Sequence, residues 1–221
     1  MIQRQINAIN SLGIKVFLEP INEPFELIIK KGLSGNTYRA FHRIDKSKDG
    51  ASVIFREYFI SNKSKILDSF SKLLTRKNYD SYLDTICLEL KQLLQENIKN
   101  QQLDSYNKLR KPVDLYIEHI VSMDEDFKDF REKITPFMYL PLDSWIFQNE
   151  IIFPNENLCD LGLKRRFSLS AIKSKHHYLK IQEFVEYRAK LLGVKCEIFF
   201  DLFWNNRFER VGGNLFELNP S

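Results

Sequence analysis

From Ser61 to Leu192 apolar residues recur at three- and four-residue spacing, and that period commits most of the chain to amphipathic helices around a shared core. Ser64–Lys77 places Ile66, Leu67, Phe70, Leu73 and Leu74 on one face, and Asp80–Ile98 does the same with Leu83, Ile86, Cys87, Leu90, Leu93 and Leu94. Pro112 suits the first turn of a helix over Val113–Met123, carrying Leu115, Ile117, Ile120 and Val121. Phe127, Phe130 and Ile134 continue the pattern, and Pro141 opens a further helix with Leu142, Trp145 and Ile146. Ser170 caps a long helix to Leu192, stopped by Gly193. Ile198–Phe208 reads equally as helix or strand.

Residues 1–60 read differently. Ile2, Ile6, Ile9 and Leu12 predict a short helix over Ile2–Leu12 with Gly13 as its stop. Ile14–Leu18, Phe25–Lys31, Thr37–Ile44 and Ser52–Ile60 are strand-like runs separated by the turn residues of 33–36 and 46–50. The expected fold is therefore α+β and predominantly helical. Residues 1–60 form a small β-rich segment in which an antiparallel β meander follows the first helix, and a helical bundle fills 61–221. No long linker separates the two parts, so they pack as one unit.

The chain has 221 residues, 43% of them apolar, which is enough to build a globular core. Its three cysteines, Cys87, Cys159 and Cys196, show no CxxC spacing, so neither a disulfide framework nor a zinc knuckle is indicated. No apolar run reaches a membrane-spanning length, and the amphipathic Met1–Gln5 lacks a signal-peptide core. A cytoplasmic location is the expectation.

Several chemistries are excluded or weakened. His176 and His177 are adjacent and diverge on a helix, His42 and His119 are isolated, and there is no HExxH, so no metal is assigned. Neither GxxxxGK[ST] nor GxGxxG occurs, which argues against a Walker-type NTPase or a Rossmann enzyme, and no other cofactor is called for. Glu26 and Lys30 have the wrong spacing for a metal-dependent nuclease core. Ser144 lacks a nucleophile elbow, and Cys87 sits on an apolar helix face, where a thiol is inert.

Charge is segregated. Lys164 to Lys195 holds nine Lys/Arg against Glu183 and Glu186, whereas the whole chain nets only +4. Such a block is the footprint of a polyanion partner or else a solvated helix face. Lys164, Arg165, Arg166, Lys173, Lys175 and His176 are its candidate phosphate contacts. Arg39 and Arg43 alternate with Tyr38, Ala40 and His42, and on a strand pair they would face the same backbone. Just before the block, in Tyr139-Leu140-Pro141-Leu142-Asp143-Ser144-Trp145, stands a carboxylate with two aromatic neighbours. Asp143 either caps the helix that follows or faces a cleft, where it would stabilise a sugar cation and activate water while Trp145 and Tyr139 stack a flipped base.

These segments resemble the later part of the helix-hairpin-helix DNA glycosylase superfamily, over about residues 113–208. The counterparts are Ile134–Asp143, Leu161-Gly162-Leu163-Lys164-Arg165, the Ser170–Leu192 helix and Phe200-Asp201-Leu202-Phe203-Trp204. The resemblance implies that Asp143 is the catalytic aspartate of a monofunctional DNA base glycosylase, a repair hydrolase acting on double-stranded DNA. The family's Leu-Pro-Gly-x-Gly hairpin is absent between Val113 and Leu140, and Trp145 stands where the family has histidine. Lys164, Arg165 and Arg166 would then have to hold the backbone. The alternatives are a non-catalytic DNA- or RNA-binding protein and a protein-interaction or defence module with no nucleic-acid role.

Overall fold

In a computed structural model the described residues are 2–19, 23–31, 33, 35–165 and 169–203. Among them nine α-helices are linked by short 3-10 turns. They are α1 (Ile2–Gly13), α2 (Phe25–Lys31), α3 (Ala51–Ser61), α4 (Lys63–Lys72), α5 (Arg76–Gln95), α6 (Tyr106–Met123), α7 (Arg131–Ile134), α8 (Asn155–Leu158) and α9 (Lys175–Leu192). A last 3-10 segment, Glu197–Phe203, is buried along its whole length.

The expected β meander is not there: no strand occurs among the described residues, and the only pairing is an isolated antiparallel bridge between Arg43 and Ile98. Ser52–Ile60 belongs to α3, where Ala51, Ile54, Phe55, Tyr58 and Phe59 are buried at helical spacing. Phe25–Lys31 is α2, burying Phe25, Ile28 and Ile29. Ile14–Leu18 extends α1 as a π turn, and Thr37–Ile44 spans the end of a 3-10 turn (Gly35–Tyr38) and an irregular loop. The physical reason is that apolar runs of five to nine residues fit both periods, and β-branched or aromatic content does not override helical burial.

Helix ends moved for local reasons. Thr75 starts α5, accepting from the Asn78 N–H at 3.2 Å. Ser174, not Ser170, caps α9, accepting from the His177 N–H at 3.2 Å. Gly193 ends α9 as expected, with φ of 77° in the left-handed region that favours glycine. Pro112 lies inside α6 rather than at its start, because the helix begins at Tyr106. The first-turn donors are met from outside: Tyr106 and Asn107 N–H donate to the carbonyls of Lys173 and Ile172 at 3.3 and 3.2 Å. No α-helix starts at Pro141; a 3-10 turn, Ile146–Gln148, forms there instead. Of Ile198–Phe208, the described part to Phe203 is 3-10 and the remainder lies outside the described residues.

The organising element is α6. Every residue from Leu109 to Met123 is buried, with α2, α5, α9 and the Ile14–Leu18 turn packed around it. Buried residues from Ile6 to Phe203 form one core, so the first sixty residues share it with the rest. α1 closes against the C-terminal 3-10 segment, where Phe17 stacks on Phe199 at 5.5 Å between centroids. Gly13 is not a helix stop: a Cβ there would lie 2.3 Å from the Phe199 ring. Gly13→Ala is therefore expected to destabilise by about 1–3 kcal/mol through overpacking, despite alanine's better helix propensity. A urea midpoint equal to or above that of the parent would show that the Phe199 ring yields at no cost.

Candidate functional site

The bridge between Arg43 and Ile98 builds a basic corner. Lys99 N–H donates to the His42 carbonyl at 3.0 Å and Ile44 N–H to the Asn97 carbonyl at 2.8 Å, which lays the 41–44 loop along the end of α5. Arg43 Nη1 then donates to the carbonyls of Lys46 and Lys48 at 3.2 and 3.1 Å, closing the turn. Asp45 is exposed at the pocket wall, and Ser47 donates to its Oδ1 through both N–H and hydroxyl, holding the carboxyl below its ordinary range. The result is an open pocket of about 540 Å³ in which His42, Arg43, Lys46 and Lys99 outnumber one acid, Asp45, beside the start of α3 at Gly50–Ser52. Gly50 supplies no capping side chain to α3, so the positive end of that helix meets the pocket. Arg39 is exposed one residue beyond the pocket-lining Tyr38.

Asp143 lies elsewhere and is enclosed, only 2% exposed. Its Oδ1 accepts from the N–H groups of Trp145 and Ile146 at 2.8 and 2.9 Å, and its Oδ2 faces Lys111 Nζ at 3.3 Å. Asn107 and Gln182 donate to the carbonyls of Leu142 and Leu140 at 3.2 and 2.8 Å, pinning the segment from behind. This is a turn cap tied to a buried lysine. Burial pushes the nearby Asp201 carboxyl up to about 7, with Asp143 adding to the shift and Lys111 opposing it. Tyr139 is also buried, with the Arg76 guanidinium over its ring at 4.4 Å and the Tyr178 ring edge-on at 5.7 Å. Trp145, by contrast, is 67% exposed.

The basic block does not assemble into one wall. Arg165 donates to Asn155 Oδ1 at 2.6 Å and to the Phe147 carbonyl at 3.1 Å, stitching two loops together. Lys175 pairs with Asp80 at 2.7 Å and with Asp84. Lys180 and Arg188 donate to the carbonyls of Asp160 and Ile151, and Lys190 pairs with Glu186 at 2.5 Å. Lys164, Lys173 and His176 are exposed, and Arg166 lies outside the described residues. The Arg165 contact places Lys164 and Arg165 near the Trp145 turn, while Lys173 and Lys175 line a separate cavity beside α5.

Sequence reasoning missed a buried ionic network on α6. Arg110, fully buried, reaches Asp114 at 2.8 Å, Asp80 at 3.1 Å and Asp84 at 3.3 Å, and donates to Tyr106 Oη at 2.9 Å. Tyr178 donates to Asp114 at 2.6 Å, and Tyr106 to Asp84 at 2.5 Å. Burial raises the Asp114 carboxyl, against the pull of Arg110 and Tyr178. The signal was present as charges at 110, 111, 114 and 118 among the apolar positions of one helix, which leaves that helix no purely solvated face. His42, Lys46 and Lys99 were missed as well, because only the bridge brings residue 99 to the 42–46 turn.

Among the described residues no group of three His, Cys, Asp or Glu is placed to hold a metal, and no helix is long and apolar enough to cross a membrane. No family model, curated protein or solved structure matches the chain.

Proposed function

We propose that this protein binds nucleic acid without acting on it, through the phosphate backbone at the corner formed by Arg39, His42, Arg43, Lys46 and Lys99. The observation that carries the reading is the open pocket of about 540 Å³ lined by His42, Arg43, Lys46 and Lys99, with Arg39 exposed beside it, at the start of α3, which has no side-chain cap. Side-chain cations, together with backbone N–H groups at a helix start, are the usual holders of phosphate. Trp145, exposed near Lys164 and Arg165, supplies a secondary stacking surface for an unpaired base. A glycosylase reading needs Asp143 to meet water and a sugar; a carboxylate held by two backbone donors and Lys111 serves the turn, and no catalytic step is assigned to it.

Fluorescence anisotropy with labelled 20-mer duplex and single-stranded oligonucleotides tests the proposal. Binding is expected at 50 mM salt and should weaken steeply by 200 mM. Lys46→Glu with Lys99→Glu is expected to weaken affinity at least tenfold on every sequence and to make the salt dependence shallower by about one to two contacts. Undetectable binding at 50 mM salt, or a double variant with parental affinity and slope, would remove the corner from the function.

A further inference from the structure

A second cavity, of about 310 Å³, lies between α5 and the start of α6 at the edge of the core and has a different chemistry. One wall is a helical stripe of α5, with Asp84, Cys87, Leu88 and Lys91 at three- and four-residue spacing. The facing wall comes from Leu103 and from Leu109 near the start of α6. Leu88 is 63% exposed at the mouth, an apolar side chain with little protein over it. Asp84 also lines the cavity, and its oxygens already accept from Tyr106, Arg110 and Lys175. That carboxylate therefore has little capacity left for a cationic guest. Asp104 also lines the cavity. Lys91 and Lys173 also line the cavity, and among the described residues neither makes a salt bridge.

An apolar trough rimmed by three lysines against two aspartates, one of them already engaged by Tyr106, Arg110 and Lys175, is complementary to one kind of guest. We propose that the cavity binds a small amphiphilic monoanion, a medium-chain carboxylate, with its chain over Leu88, Leu103 and Leu109 and its head group between Lys91 and Lys173. The volume stands at the lower end of the range for ligand pockets, roughly 300–1,000 Å³, so the guest is small. The site is independent of the basic corner at residues 39–46, and its test uses no nucleic acid.

Isothermal titration calorimetry on the full chain should be run with octanoate, octylammonium and acetate. Octanoate is expected to bind at one site at least tenfold more tightly than either control: octylammonium keeps the chain and reverses the charge, whereas acetate keeps the charge and loses the chain. Lys91→Glu with Lys173→Glu should abolish that preference while leaving the circular dichroism spectrum and the ligand-free Tm unchanged, since neither lysine is part of an ion pair. Leu88→Glu, at an exposed position, should weaken octanoate at least fivefold. The proposal is overturned if octanoate does not bind at millimolar concentration, if octylammonium matches it, if acetate matches it, or if the double lysine variant keeps parental affinity.

Discussion

Arg110→Ala is expected to cost about 3–5 kcal/mol of stability, much of what a domain of this size has. The guanidinium is fully buried, and three aspartates, Asp80, Asp84 and Asp114, converge on it. Lys175 covers part of Asp80 and Asp84, and Tyr178 donates to Asp114, but Arg110 is the only cation in contact with Asp114 among the described residues. Removing it leaves a carboxylate in the interior with one hydroxyl for a partner, and a buried charge without its counter-ion is the costly case. Two aromatic faces reinforce the site, since the guanidinium carbon sits 5.3 Å from the ring centroids of both Tyr139 and Tyr178. Arg110→Lys should recover little, because an ammonium cannot reproduce the fork that reaches Asp80 and Asp114 together. Arg110→Met combined with Asp114→Leu should be less damaging than Arg110→Ala alone, since removing both charges avoids the orphaned one. Urea unfolding at pH 7 decides it: a loss under about 1 kcal/mol for Arg110→Ala would mean that water reaches Asp114 and the network is not a dry one.

Asp143→Ala should cost a comparable amount, about 3–5 kcal/mol, because it leaves two backbone donors without their acceptor and removes a carboxylate that faces Lys111. Asp143→Asn keeps an oxygen for the Trp145 and Ile146 N–H groups and should lose less. It should also leave oligonucleotide affinity unchanged, because the basic corner does not include it. The isosteric change carries a pH signature as well. Asp201 is raised from 3.8 to about 7, so between those pH values the folded chain retains a proton that the unfolded chain has released. Stability therefore falls as pH rises through that window, by about 1.4 kcal/mol per pH unit for one group, and flattens above it. Removing the Asp143 charge takes away one cause of the shift, so the flattening should begin below pH 7. Glu197, pushed up to about 7 by burial against the pull of Arg76, gives the same sign, so the comparison is cleanest in a Glu197→Gln background. An unchanged stability–pH curve in Asp143→Asn would show that Asp201 does not sense Asp143.

How far the sequence could be read differs from element to element. The helical repeat was plain in α5 and α9, because their apolar residues sustain the spacing over four or more turns, although the caps at Thr75 and Ser174 were not read. In the first sixty residues the same spacing was present, but in runs too short to separate it from alternation. Phe25, Ile28 and Ile29, or Ile54, Phe55, Tyr58 and Phe59, are as apolar and β-branched or aromatic as any strand. The two aromatics flanking Pro141–Leu142 illustrate a second limit. Tyr139 and Trp145 look alike as stacking candidates, yet one is enclosed by Arg76 and Tyr178 and the other stands in solvent. The basic block shows a third, since Lys175, Arg165 and Arg188 are spent on contacts with residues far along the chain.

The periodic placement of apolar side chains, with Gly193 at a helix end, determined by itself that residues 61–192 build helices, since that signal acts within a turn or two of backbone, whereas α2 and α3 in residues 1–60 were read as strands. Which helix would be surrounded on every side, and which cations would be neutralised, was decided only when distant segments met. Burial and ion pairing depend on three-dimensional neighbours, and α6 became an interior charged helix because α2, α5 and α9 closed over it.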